Sequence, residues 1–163
     1  MSAIDPKQFR NALGSFPTGV TVVTTLDKNG NKVGMTANSF NSVSLEPMLV
    51  LWSIAKSANA FEAFNDAKQF AIHILNEEQQ GISNQFAQKG IDRFDGIEYR
   101  NGHGNLPVLA DYTAVFECDI EHQYDGGDHV ILVGRVQKFD HKDKAPLVFH
   151  AGRYTELAQA EAL

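Results

Sequence analysis

The sequence is poor in the features that announce most catalytic chemistries. It holds a single cysteine, Cys118, among 163 residues, so no intrachain disulfide can form. A lone thiol in an alternating strand pattern is expected to be a small core filler in a reducing compartment. Positive charge is scarce: 14 Lys and Arg against 20 Asp and Glu leave a formal net charge of −6. Without a basic field to release counterions, nucleic acid is not an expected partner. No apolar run approaches the roughly 20 residues of a membrane span. The opening MSAIDPKQF lacks both the basic and the apolar part of a secretory signal. The expected setting is the cytoplasm, with no membrane partner.

Motifs are also missing. There is no G-x-G-x-x-G, no P-loop, no G-x-S-x-G elbow and no H-E-x-x-H, so the common dinucleotide, phosphate, hydrolase and zinc-protease chemistries have no signature here. The six histidines are scattered without ligand spacing, and no metal is expected.

What is present is an ordinary globular composition, 43% hydrophobic and 21% charged, in a chain long enough to bury roughly 70% of its unfolded surface as one domain, residues 1–163. Asp5-Pro6 is an N-cap followed by proline at the first helical position, and Phe9 and Leu13 recur at i, i+4 before Gly14, which predicts a short opening helix. Gly19 to Thr25 is dense in β-branched residues, and the Asn-Gly within Asp27 to Asn31 is a strong hairpin signal, with a return strand through Val33 to Thr36. Strands are further predicted over Phe40 to Leu45, Met48 to Ile54, Phe70 to Leu75, Thr113 to Tyr124 and Val130 to Phe139. Along Thr113 to Tyr124, Ala114, Phe116, Cys118, Ile120 and His122 share one face, and Glu117, Asp119 and Glu121 give the other an expected wet side. Ser57 to Phe64 and Asn76 to Phe86 read as short helices, each opened by a capping residue. Asp92 to Gly104 reads as a surface loop. Many strands, short helices and no β-helix-β rhythm favour a mainly β, antiparallel barrel.

Three segments could carry chemistry. Thr36-Ala37-Asn38-Ser39 concentrates small hydroxyl and amide groups, which turn chemistry alone would also explain. Lys56-Ser57-Ala58 could bring an ammonium, free backbone N–H groups and a helix start onto a phosphate, or be an ordinary N-cap beside a solvated lysine. Gly126-Gly127-Asp128-His129 is a hairpin turn that presents a histidine at a strand end, where it could also donate to a bound nucleotide.

In order and spacing these pieces, from FRNALGSFPTGVTVVTT through GMTANSFNSVSLEP to GDHVILVGRV and FHAGRY, resemble the flavin reductase family of FMN-binding split-barrel proteins. That family includes the reductase components of two-component flavin monooxygenases. The resemblance implies a six-stranded Greek-key barrel that forms a homodimer, with flavin bound near the subunit interface. It implies that Thr36, Ala37, Asn38 and Ser39 meet the isoalloxazine and ribityl chain, that Ser53, Lys56, Ser57 and Ala58 meet the phosphate, and that Pro17, Thr18 and Gly19 lie beside the ring. His129, as the catalytic candidate, and Tyr154 fall on the nicotinamide side; Phe86, with Lys89 and Arg93, falls in a lid region.

The activity so implied is NAD(P)H:flavin oxidoreduction. The cofactor is FMN, with FAD as the alternative flavin, and NADH or NADPH is the electron donor. A separate flavin-dependent monooxygenase is the expected recipient of the reduced flavin. The absence of an arginine cluster for a 2′-phosphate favours NADH. A flavoredoxin-like electron carrier that retains its flavin, and a flavin-binding module without turnover, are the other readings. Hydride transfer between two cofactors needs positioning more than an acid–base pair, consistent with the missing catalytic signatures.

Overall fold

A computed structural model of the chain describes residues 3–161. The opening helix α1 (Pro6–Leu13) starts where Asp5 accepts the Lys7 amide at 2.9 Å. It buries none of its residues.

The main body is one antiparallel sheet of seven strands, in spatial order β3 (Lys32–Ala37), β2 (Thr21–Leu26), β6 (Gln69–Ile74), β9 (Ala114–Gly126), β10 (His129–His141), β5 (Met48–Ala55) and β4 (Asn41–Leu45). The mainly β class expected from the sequence is observed. The barrel sheet has seven strands rather than six because β4 adds to the β5 edge. Smaller sheets add β1 (Thr18–Gly19) against β11 (Val148–His150), which pairs in turn with β12 (Arg153–Thr155), and β7 (Tyr99–Asn101) against β8 (Pro107–Leu109).

The edge strands β3 and β4 are consecutive in sequence and joined by residues 38–40 alone. So short a joint requires the twisted sheet to curl until its two edges approach. Ser39 closes the seam: its Oγ accepts the Ser53 amide at 2.9 Å and donates to the Ser53 carbonyl at 3.0 Å.

Inside the curl, Trp52 packs edge-on against Phe64 at 4.8 Å and Phe70 at 6.1 Å, among Val23, Ile54, Ile72, Cys118 and Leu132. Burial pushes the Cys118 thiol up to about 12, the inert filler expected. A second cluster covers the outside of β2, where Val22 meets Leu75, Phe86, Phe94 and Leu147. With Val23 inward and Val22 outward, β2 is buried on both faces, hence its unbroken β-branched run. Thr24 and Thr25 remain satisfied there by donating to the carbonyls of Pro107 and Gln69 at 2.6 and 2.8 Å.

Several expectations are corrected. Residues 56–60 form successive turns, with Ala58 and Phe61 amides donating to Ala55 and Ala58 carbonyls at 3.0 Å, and α2 (Phe61–Asp66) starts at Phe61 without a side-chain cap. Asn76 makes an Asx turn to Glu78 and α3 (Gln80–Ala87) begins after it. Asp92 to Gly104 is not merely a surface loop, because Phe94 is buried and β7 pairs with β8. That hairpin covers the face of β9 expected to be wet. Glu117 is only 2% exposed there, accepting the His103 amide at 2.6 Å and pairing with Arg100 at 3.3 Å.

Candidate functional site

The sheet curl and the β1–β11 pairing place the Phe16–Gly19 loop opposite the end of β3. Thr21 donates its hydroxyl to the Ala37 carbonyl at 2.7 Å, which fixes where the chain leaves β3. Two adjoining clefts open between these segments. One, of about 330 Å³, is lined by Phe16, Pro17, Thr18, Gly19, Asn38 and Phe40 among others. The other, of about 650 Å³, shares Phe16, Thr18 and Asn38 and reaches Arg10, Phe149 and Gly152. The Thr18 hydroxyl is buried and has no hydrogen-bond partner, an orphaned donor of the kind that a bound group can satisfy.

From this cleft a line of polar groups leads along the outer side of β5. Asn38 is followed by Ser39, which clasps Ser53. Lys56 lies three residues further, about 10 Å at strand rise. The Lys56 amide donates to the Asp128 carbonyl at 2.9 Å and its ammonium pairs with the Asp125 carboxylate. Register places His129 opposite Ala55, and its Nδ1 meets Asp128 Oδ1 at 2.7 Å. That contact holds the Asp128 carboxyl below its usual range. The β9–β10 turn, with Gly127 at φ +73°, therefore brings Lys56, Asp125, Asp128 and His129 to one corner.

The structure thus gathers Pro17, Thr18, Gly19 and Asn38 at the cleft, Ser39 and Ser53 at the seam, and Lys56, Ser57 and Ala58 in the turn beside His129. Other expected residues stand apart. Thr36 spends its hydroxyl on the Ser83 carbonyl at 2.6 Å, and the Ala37 carbonyl is taken by Thr21. Tyr154 lines a separate polar cleft with Glu77 and Gln80. Its hydroxyl meets Ser83 Oγ at 2.7 Å and donates to Asn84 at 3.0 Å, and its ring supports Phe149, 5.4 Å away.

Phe86 is a packing residue in this structure and lines neither cleft described above. It is 0% exposed, packs edge-on against Phe94 at 5.1 Å and fills the space over Gly34, where a Cβ would come within 2.6 Å of its ring. Arg93 anchors the same segment by donating to the Gly34 and Gln88 carbonyls at 2.9 Å.

Residues that sequence reasoning left out are Phe16, Phe40, Arg10 and Phe149 at the cleft and the two carboxylates around Lys56. The Asp-Gly-Gly-Asp string was the available signal for the carboxylates, since a tight hairpin turn must bring both of its flanks to the strand end.

Comparison with known proteins adds to this geometry. The profile of the flavin reductase like domain matches residues 13–158. The FMN reductase (NADH) of Agrobacterium fabrum is 46% identical over 91% of this chain and 84% of its own length. The reductase component of the flavin-dependent trigonelline monooxygenase of Acinetobacter baylyi is 45% identical over 91% of this chain. The chain spans about half the length of that relative and of another curated one, 48% in each case. Among solved structures, the NADH:FAD oxidoreductase of Streptomyces globisporus superposes with a TM-score of 0.90 at 36% identity, covering 99% of both chains. A domain match of this extent, on a split-barrel fold with its cleft at the seam, means that the chain belongs to the flavin reductase family.

Proposed function

We propose that this chain is an NADH:flavin oxidoreductase that binds FMN or FAD along the line from the Phe16–Gly19 loop to Lys56 and releases the reduced flavin to a separate monooxygenase. The observation that carries the reading is the succession along one edge of the sheet of an aromatic and hydroxyl-lined cleft, a serine clasp and a partly exposed lysine three residues beyond it. The family relation and the reductase components among the relatives support it.

Flavin, when bound, supplies the ring that accepts hydride from the nicotinamide. Pro17, Thr18, Gly19 and Asn38 form the walls that orient it, and the Thr18 hydroxyl is a free hydrogen-bonding group for it. Lys56 and the Ser57 amide would face the phosphate, the Ala58 amide being engaged by the Ala55 carbonyl, and His129 borders the nicotinamide nucleotide. Because residues 56–60 are turns, the phosphate contact rests on the ammonium and the Ser57 amide rather than on a helix start.

A homodimer is part of the same proposal. Ile4, Phe9, Leu13 and Phe16 are all exposed on or beside a helix that buries nothing in its own chain, an apolar surface a second copy would cover. We also place the protein in the cytoplasm, in line with its single buried thiol; among the described residues no helix is long and apolar enough to cross a membrane.

The test is anaerobic mixing of purified protein with NADH and excess FMN. Multiple-turnover bleaching of the flavin is expected, with FAD, riboflavin and NADPH as comparison substrates. Bleaching limited to a protein-bound stoichiometric flavin, reduced only by another protein, would favour the electron-carrier reading instead. Sedimentation at micromolar concentration should give a dimer; a species near the 18.0 kDa monomer mass would overturn that part.

A further inference from the structure

The corner that holds Lys56 is not a cationic one. Its ammonium pairs with Asp125, while its own amide is bonded to the backbone of Asp128, whose carboxylate feels the Lys56 charge. The side chains of Lys56 and Asp125 are 42% and 75% exposed, so the pair stands in water, is screened by salt and is cheap to open. Its position is nevertheless fixed. Asp125 sits opposite Val130, which sits opposite Ile54, so the three-stranded register sets the carboxylate beside the residue that follows β5. No other cation pairs with Asp125 among the described residues.

We propose that Asp125 is a competitor for the flavin phosphate: it occupies Lys56 in the ligand-free protein, must yield the ammonium when a phosphorylated flavin binds, and so keeps the flavin weakly held and exchangeable. The inference rests on the reading of Lys56 as the phosphate contact. A phosphate with nearly two negative charges can displace a singly charged carboxylate, but it gains only the difference between two ion pairs and then meets two neighbouring aspartates. An enzyme that hands its flavin to another protein needs such a discount on affinity, whereas an electron carrier that retains its flavin does not.

The experiment measures flavin affinity, by titration calorimetry or quenching of flavin fluorescence, for the parent, Asp125→Asn, Lys56→Ala and the double variant, each with FMN and with riboflavin. Asp125→Asn keeps the shape and removes the charge. It should tighten FMN about 3- to 30-fold at low salt, with the gain shrinking as salt rises, and leave riboflavin within about two-fold. In the Lys56→Ala background most of that gain should disappear. If Lys56→Ala weakens FMN but Asp125→Asn does not tighten it, the competition is refuted while the phosphate role of Lys56 stands. If the gain persists in full without Lys56, Asp125 merely repels the ligand, and the competition is again refuted. If Lys56→Ala leaves FMN binding unchanged, the phosphate reading itself fails and takes this inference with it. Both residues are exposed, so melting points close to the parent's are expected for all three variants.

Discussion

Strand β9 carries its acidic residues into two opposite situations. Near its start, Glu117 lies under the β7–β8 hairpin with both oxygens engaged, by the His103 amide and Arg100. Nearby, Asp119 accepts from Gln69 at 3.0 Å and meets His103 Nε2 at 2.8 Å. At its far end, Asp125 stands in water and pairs only with the partly exposed Lys56. The contrast teaches where this fold can afford to exchange partners. A buried polar group left without its partner costs far more than the net value of its bond, so Glu117 is committed to structure, with the half-exposed Asp119 between the two extremes. An exposed pair surrenders little when a ligand takes one member.

Substitutions can sharpen or break this division. The largest expected effect is on the committed side and involves no charge. Phe86→Ala should cost about 3–5 kcal/mol, lowering the melting temperature by roughly 6–20 °C. Any loss of flavin affinity should follow from unfolding; a normal melt with lost flavin binding would return Phe86 to the site.

Next comes His73, wholly buried, whose Nε2 accepts the Leu109 amide at 3.0 Å, so that Nδ1 carries the proton and donates to the Val22 carbonyl at 2.9 Å. Burial lowers its pKa to about 4 from 6.5. The unfolded chain therefore takes up the proton more readily than the folded one. The resulting contribution, about 3 kcal/mol, is present above pH 6.5 and is lost as pH falls from there towards 4. Denaturant titrations across that range should show the decline, and His73→Gln should flatten it.

Glu117→Gln should then cost about 1–3 kcal/mol, because a neutral amide is a weaker acceptor for the His103 amide and no partner for Arg100. An unchanged melt would mean that water enters beneath the hairpin. The smallest effect belongs to the exchanging side: His129→Ala should reduce kcat/KM for NADH by about 1 kcal/mol, roughly five-fold, since its side chain is 45% exposed and any contact is screened. Flavin affinity and melting temperature should stay put. A lowered melting temperature with unchanged NADH kinetics would make His129 a hairpin residue only.

Much of the frame is readable in the sequence because it is local. The Thr21–Leu26 run, the Asx turn in which Asp27 caps the Asn29 and Asn31 amides at 2.8 and 2.9 Å, and the two long hairpin strands each announce themselves within a few residues. What is not local misleads. Alternation marks Glu117 as outward, correctly for the barrel, but cannot reveal that a second hairpin lies across that face. Ser57 looks like a cap, yet the chain inserts two turns before the helix. At the site, the Thr36–Ser39 and Lys56–Ala58 segments were visible as chemistry. The cleft walls Phe16 and Phe149, far apart in the chain, meet only because β1 pairs with β11.

The Ser39 clasp has one more consequence. A strand that joined β5 in the ordinary way at this point would spend its amide and carbonyl on the ladder. Ser39 instead supplies both a donor and an acceptor from a single hydroxyl, and its main chain belongs to neither the β2–β3 nor the β4–β5 register. A side chain that impersonates a peptide group leaves the real peptide group uncommitted, at the place where the backbone passes the cleft. Replacing Ser39 with alanine would then do more than loosen a joint: the backbone would be drawn to close the gap itself, and the donors it now holds in reserve would be consumed.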